Sequence, residues 1–307
     1  MDIAITGLRR SFGRVAALRG VDLTVPGGMF GLLGGNGAGK TTLMRIMAGV
    51  LAPGAGQVSI GGHDMTSRAG RRAVQRRLGY LPQDLGLYPD LSPRELLDYV
   101  ALLKGLDDPA ARRRQIGELL DTVGLTDVAG RRIKGFSGGM RRRLGIAQAL
   151  LGDPTLLVVD EPTAGLDPEE RIRFRTLLAG LAGHRTVLLS THIVEDIAQT
   201  CHDTAVLTAG QVIYTGPVTE LTRAAEGATW EVRTTGAPPA DGVVVSAVNS
   251  GDGFRYRVVS PTRPAPEAAP VPPTLEDGYV ALMRRHASTR AAEPATRTAA
   301  RARWGRR

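Results

Sequence analysis

The chain has 307 residues, with 39 Lys plus Arg against 30 Asp plus Glu and a formal net charge of +9. Apolar residues make up 42%, which excludes a disordered chain, but aromatics are only 4%, so Ala, Val, Ile and Leu must fill the core. A single cysteine, Cys201, excludes an internal disulfide framework, and no run approaches the roughly 20 apolar residues that span a bilayer.

The opening MDIAITGLRR lacks the apolar run of a secretory leader, so a soluble chain in a reducing compartment is expected. From residue 1 to about 215, short apolar runs alternate with helical patterns. Phe30-Gly31-Leu32-Leu33, Leu156-Leu157-Val158-Val159 and Val187-Leu188-Leu189 are unbroken runs of strand length. Strands without alternation are buried on both faces, as in a parallel sheet, and helices between them predict an α/β fold.

The stretch 84–150 reads as a helical subdomain inserted into that fold. Ser92-Pro93-Arg94-Glu95 combines a capping Ser, Pro at the first helical position and Glu three residues on. Leu96, Leu97, Val100 and Leu103 follow at helical spacing. Further helices are predicted over 109–123 and 138–151, the last stopped by Gly152-Asp153-Pro154.

Beyond 220 the composition shifts. Three short strands are predicted at 230–233, 243–245 and 254–259, then a linker over 261–273 holding six prolines, then an amphipathic helix over 274–285. From 286 to 307 a basic disordered tail is expected. Most of the net charge lies here, with eight arginines and one acid, Glu293, over 284–307. The +9 therefore describes a nearly neutral body with a basic end, and no nucleic-acid partner is expected from it. The tail's arginines suit contact with anionic lipid.

Three motifs carry chemistry. Gly34-Gly35-Asn36-Gly37-Ala38-Gly39-Lys40-Thr41 matches G-x-x-x-x-G-K-[ST] between an apolar strand and a helix. Its backbone N–H groups would close around a phosphate chain, with the helix N-terminus aimed at the same anions. Lys40 would reach the phosphates, the Thr41 hydroxyl would ligate Mg²⁺, and Thr42 would extend the cradle. Second, the run Leu156–Val159 ends in Asp160 and Glu161. Asp160 suits the Mg²⁺ shell and Glu161 suits a general base for water. Third, Phe136-Ser137-Gly138-Gly139-Met140 opens a helix, so Ser137 reads as a cap and also as part of a second anion site.

Phosphate loop, Ser-Gly-Gly helix start and Asp-Glu strand end, in that order, resemble the ATP-binding cassette (ABC) ATPases over about residues 1–220. The resemblance implies a P-loop NTPase of ABC type with an N-terminal antiparallel β portion, the inserted helical subdomain and a small C-terminal α+β extension over 221–285. It implies ATP and Mg²⁺ as ligands. It gives Phe12 the adenine-stacking position and Gln83 a place beside Mg²⁺. Ser137, Gly138 and Gly139 become the signature that meets a second cassette's ATP. Asp167, in Ala164-Gly165-Leu166-Asp167, falls on the loop crossing the dimer, and His192 becomes the γ-phosphate switch. The signature departs from the usual LSGGQ at Phe136 and Met140, and Gly35 stands where Pro is common.

One phosphate loop and one signature on one chain imply a homodimer or heterodimer of cassettes. The spacing of 96 positions from Lys40 to Phe136 leaves no room for long coiled coils, so a transporter subunit is expected ahead of a translation or DNA-maintenance ATPase. It would sit at the cytoplasmic face of the membrane on a separate permease. Pro273-Thr274-Leu275-Glu276-Asp277-Gly278-Tyr279-Val280-Ala281-Leu282 resembles the ending of cassettes paired with export permeases. Export is therefore expected ahead of import. The alternative for that segment is a helix that simply packs.

Overall fold

The computed structural model describes residues 1–183, 185–251 and 253–292. They form two compact units, Met1–Val218 and a second beginning at Thr219.

The first unit opens with an antiparallel hairpin, β1 (Ile3–Phe12) and β2 (Val15–Val25), followed by β3 (Met29–Leu33) and α1 (Lys40–Met47). β4 (Ala55–Ile60), β5 (His63–Asp64), α2 (Arg68–Gln75) and β6 (Leu78–Leu81) come next. The helical stretch holds α3 (Pro93–Leu103), α4 (Pro109–Thr122) and α5 (Gly138–Leu150). Then follow β7 (Leu156–Asp160), α6 (Pro168–Leu181), β8 (Thr186–Thr191), α7 (Val194–Thr200), β9 (Asp203–Thr208) and β10 (Gln211–Pro217).

Two sheets result. One is antiparallel, in the order β2-β1-β4-β5. The other runs β10-β9-β3-β8-β7-β6 and is parallel except for β10. Every residue of β7 and β8 is buried, as unbroken apolar runs require, whereas β1 alternates toward solvent. One core joins Ile3, Val21 and Val58 of the antiparallel sheet, Leu32, Val158 and Leu188 of the parallel sheet, and Leu43, Met44 and Met47 of α1. That packing sets the phosphate loop at the C-terminal edge of β3, the edge at which parallel sheets bind ligands.

The capping box before α3 forms as the sequence predicts. Glu95 N–H donates to Ser92 Oγ at 3.3 Å, and Ser92 N–H donates to Glu95 Oε2 at 2.7 Å. α5 does more than the reading of an inserted helical subdomain anticipates. It packs against α3 and α4 and also on β6, with Gly145 close to Leu81 and Leu85. The helix that begins at Ser137 is thus seated directly on the strand that ends before Gln83.

The second unit comprises α8 (Val218–Arg223), β11 (Thr229–Thr234), β12 (Val243–Asn249), β13 (Phe254–Val259), β14 (Ala269–Pro270) and α9 (Leu275–Ala292). Its sheet is antiparallel, in the order β12-β13-β11-β14. Two expectations are corrected. The proline-rich 261–273 is not a free linker: Ala269 and Pro270 pair with Glu231 and Trp230, and Ala268 is fully buried. An edge position tolerates Pro because no ladder N–H is needed there. The helix predicted over 274–285 continues to Ala292, through the start of the expected tail. The extension is Ala-rich and suits a helix, and the Ser288 and Thr289 hydroxyls bond back to the carbonyls of Arg284 and Arg285. The remainder of the expected tail, 293–307, lies outside the described residues. Among the described residues no helix is long and apolar enough to cross a membrane.

Candidate functional site

The loop between β3 and α1 is built for an anion. α2, α3, α4, α5 and α6 each begin with a side-chain cap, from Ser67, Ser92, Asp108, Ser137 and Asp167 respectively. α1 is preceded by Gly39, which offers no side-chain cap, so its first N–H groups stay available to a ligand. Gly39 has φ +108°, and a Cβ there would sit 2.6 Å from the Ala17 carbonyl oxygen, so only glycine fits. Gly35, Asn36, Gly37, Ala38, Gly39, Lys40, Thr41 and Thr42, with Val15–Ala17, Gln83 and Glu161, line a cleft of about 350 Å³. Gly34 lies behind it, its carbonyl accepting from Lys40.

Lys40 is 5% exposed. Its Nζ donates to Gly34 O at 2.6 Å and Gly35 O at 3.2 Å, and lies 3.0 Å from Glu161 Oε1. The other Glu161 oxygen, Oε2, is 2.5 Å from His192 Nδ1. Glu161 is buried and has φ +49°, a left-handed conformation unfavourable for a residue with a Cβ. β8 holds it there: Glu161 N–H donates to Ser190 O at 3.0 Å and lies 3.3 Å from Ser190 Oγ. Strain of this kind, fixed by its surroundings, is typical of functional positions.

Asp160 is fully buried at the end of β7. Ser190 Oγ donates to its Oδ1, while Oδ2 is buried without a partner. Burial pushes the Asp160 carboxyl above its ordinary 3.8, and the Ser190 and Thr41 hydroxyls pull it partly back. An acid that the folded chain protonates more readily loses folding stability as pH rises above 3.8. Asp160→Asn is therefore expected to raise the unfolding free energy at pH 7 by about 1–2 kcal/mol, by relieving an unpaired buried carboxylate. Denaturant titrations without nucleotide or Mg²⁺ would check this, with the gap narrowing as pH falls toward 3.8.

The remaining expected site residues fall into two other places. Phe12, at the end of β1, is 49% exposed and does not line the cleft; the Arg10 guanidinium stands 5.2 Å from its ring centre. Ser137 caps α5 by accepting from Met140 N–H at 3.2 Å, and Asp167 caps α6 by accepting from Glu170 N–H at 2.9 Å. Gly139 is buried against Glu170. Gly138 and the loop Ala164–Leu166 line a second groove of about 480 Å³. Gln83 lines both groove and cleft.

Sequence reasoning missed two contacts at this site. Ser190 holds both acidic residues, donating to the Asp160 carboxylate and accepting from the Glu161 backbone N–H; the signal was a lone Ser in an apolar strand, opposite Asp160 in the register of β7 and β8. Arg142, which no motif singles out, donates from Nη1 to Pro82 O at 3.2 Å and Gln83 O at 2.7 Å. It fixes the Gln83 backbone to the helix that starts at Ser137.

A glycine loop opening an uncapped helix, a buried lysine within it and paired carboxylates at the end of β7, separated from β3 by β8, define a P-loop nucleotide-binding protein. Comparison with known proteins gives the family. The family model described as ABC transporter matches residues 18–164. The daunorubicin resistance ATP-binding protein DrrA3 of Streptomyces coeruleorubidus is 41% identical over 72% of this chain and 70% of its own length. The Nod factor export ATP-binding protein I of Paraburkholderia xenovorans is 39% identical over 70% of each. Among solved structures, cbiO1 of Clostridium perfringens, titled as part of the ABC transporter complex cbiONQ, aligns at TM-score 0.64 with 26% identity, covering 71% of this chain and 89% of that one. The ABC transporter cassette MJ0796, solved as a dimer, shares the fold at TM-score 0.65 with 24% identity, covering 70% of this chain and 98% of that one. The chain belongs to the ABC transporter ATP-binding proteins. It is the ATP-binding and ATP-hydrolysing subunit of a transporter.

Proposed function

We propose that two such cassettes close head to tail on ATP and drive export through a separate membrane permease at the cytoplasmic face. The observation that carries the head-to-tail reading is the separation of the two half-sites. Lys40, Thr41 and Glu161 belong to one cleft, while Ser137–Gly139 and the loop ending at Asp167 lie outside it. Each ATP would be held by one chain's loop and the other chain's signature.

The phosphates would rest on the N–H groups of Gly35–Thr42, with Lys40 neutralising their charge. Thr41, Asp160 and Gln83 would hold Mg²⁺, which supplies charge neutralisation on the phosphate oxygens. The donor set fits that ion: oxygens only, one of them an unpaired buried carboxylate oxygen. Glu161 would orient water and take its proton, and His192 would hold the Glu161 carboxylate and face the γ-phosphate. Phe12 would supply a stacking face near Val15 for the base, and Ser137, Gly138, Gly139 and Asp167 would serve the partner's nucleotide.

Export is favoured by what relatives at about 40% identity are named for, Nod factor export and daunorubicin resistance. The permease would dock on the helical stretch beside Gln83. There Leu85, Leu87 and Pro89 line the groove, and Tyr88 and Tyr99, edge to face at 5.9 Å, stand 53% and 45% exposed. Exposed aromatics beside the apolar Leu85, Leu87 and Pro89 suit a short amphipathic helix. The test is co-purification with a permease of about six apolar spans and ATP-driven uptake of substrate into inside-out vesicles, the direction of export. Uptake only into right-side-out vesicles would overturn export, and stable capture on ribosomes or DNA without any membrane partner would overturn the transporter reading.

A further inference from the structure

A buried ionic network behind the catalytic pair has no part in the mechanism above. Asp196, in the first turn of α7, is 1% exposed. Its Oδ2 accepts from Thr163 Oγ1 at 2.5 Å and from Thr191 Oγ1 at 3.4 Å. Its Oδ1 lies 3.5 Å from Arg175 Nη1, which also reaches Glu195 Oε1 at 3.2 Å. Thr163 and Thr191 are both buried. The single carboxylate therefore joins the segment after β7, the end of β8, α6 and α7.

The sequence positions of these partners matter. Thr163 lies two residues after Glu161 and immediately before Ala164, where the loop to Asp167 begins. Thr191 immediately precedes His192, and its Oγ1 also accepts from Ile193 N–H at 3.0 Å, so both neighbours of His192 belong to the network. Glu161 and His192, on the same two backbone segments, touch at 2.5 Å. A buried carboxylate fixes its donors tightly, because any donor it loses leaves charge without a partner in a low-dielectric interior.

We propose that Asp196 is a positioning residue for hydrolysis. By holding Thr163 and Thr191 together, it keeps the Glu161–His192 contact in register and ties it to the loop that crosses to the second cassette. Closure of the dimer on Ala164–Asp167 would then be felt at Glu161 through Thr163 and at His192 through Thr191. This rests on the assignment of Glu161 and His192 to the hydrolytic step.

The test uses the purified full chain and the pair Thr163→Val, which keeps the shape but loses the hydroxyl, and Thr163→Ser, which keeps the hydroxyl. Thr163→Val is expected to lower kcat for ATP about tenfold, since small misplacements of reacting groups carry losses of that order. KM and affinity for a fluorescent ATP analogue should stay close to those of the parent, while Tm falls by a few degrees because Asp196 loses one donor. Thr163→Ser should restore kcat. Asp196→Asn should lower kcat in the same way, and if it fails to fold, the Thr163 pair still decides. Glu161→Gln run alongside separates the two levels. If it is inactive while Thr163→Val keeps full kcat, the positioning role is overturned and the assignment of Glu161 stands. If Glu161→Gln turns over normally, the assignment itself falls. Parallel loss of Tm, KM and kcat in Thr163→Val without rescue by Ser would reduce the network to a structural support and overturn the proposal.

Discussion

Replacing Glu161 with Gln is expected to lower kcat for ATP at least about a hundredfold, the loss that follows removal of a general base. The substitution keeps the shape of a side chain wedged between Lys40 Nζ and His192 Nδ1. An amide can still accept from Lys40, so the left-handed turn and the loop should survive. The cleft that would hold the phosphates is otherwise untouched, because Gly35–Thr42 contribute backbone N–H groups and Lys40 contributes its charge. ATP binding should therefore be retained. With cleavage blocked, both nucleotides remain to bridge the half-sites, and the chain should run as a dimer on size exclusion with ATP and as a monomer without it. Full turnover by Glu161→Gln would remove Glu161 from the mechanism. Blocked turnover with no ATP-dependent dimer would leave Glu161 in place and overturn the head-to-tail sandwich.

How much of this was legible in the sequence depends on the range of the interaction. The phosphate loop could be read because its glycines, Lys40 and Thr41 are contiguous, and the uncapped start of α1 follows from the same residues. The Ser92–Glu95 box could be read because its partners are three residues apart. The pairings that set the chemistry span far more chain: Asp160 with Ser190, Thr163 with Asp196, and Arg142 with Gln83. Which Ser faces which Asp is decided by β7 lying beside β8 in a given register, and no local pattern carries that. The same applies at the proline-rich stretch. Six prolines in thirteen residues read as a linker, yet an edge position on β11 gives two of those thirteen residues a place in the sheet. Ser137 and Asp167 show the opposite limit. Both serve as helix caps in this chain, and the capping role alone would have explained them.

The segment around Asp277, read first for its likeness to the ending of exporter cassettes, has a structural explanation that predicts the other large effect. Asp277 is fully buried, and its carboxylate is saturated. Arg257 Nε donates to Oδ1 and Oδ2 at 3.0 and 2.9 Å, and Arg257 Nη2 lies 2.7 Å from Oδ2. Thr274 N–H and Oγ1 donate to Oδ2 at 2.6 and 2.8 Å. One side chain thus closes the start of α9 and bolts it to β13. The next residue leaves no slack, since a Cβ on Gly278 would overlap the carbonyl oxygen of Leu221 in α8. Asp277→Ala strips the guanidinium of its partner and the helix of its cap, and breaking one side of a buried pair costs about 3–5 kcal/mol. A unit with cores as small as Val232, Tyr256, Val258 and Ala268, and Ala225, Val259 and Ala281, has little to set against such a loss. Hydrogen exchange and limited proteolysis should then find residues 219–292 open. Affinity for a fluorescent ATP analogue should hold, because the phosphate loop is packed into a separate core. The double variant Arg257→Met with Asp277→Ala should recover part of the loss, since no unpaired charge is left behind. If Asp277→Ala leaves exchange over 219–292 unchanged, the ion pair is not what holds α9, and the likeness to exporters would need another physical basis.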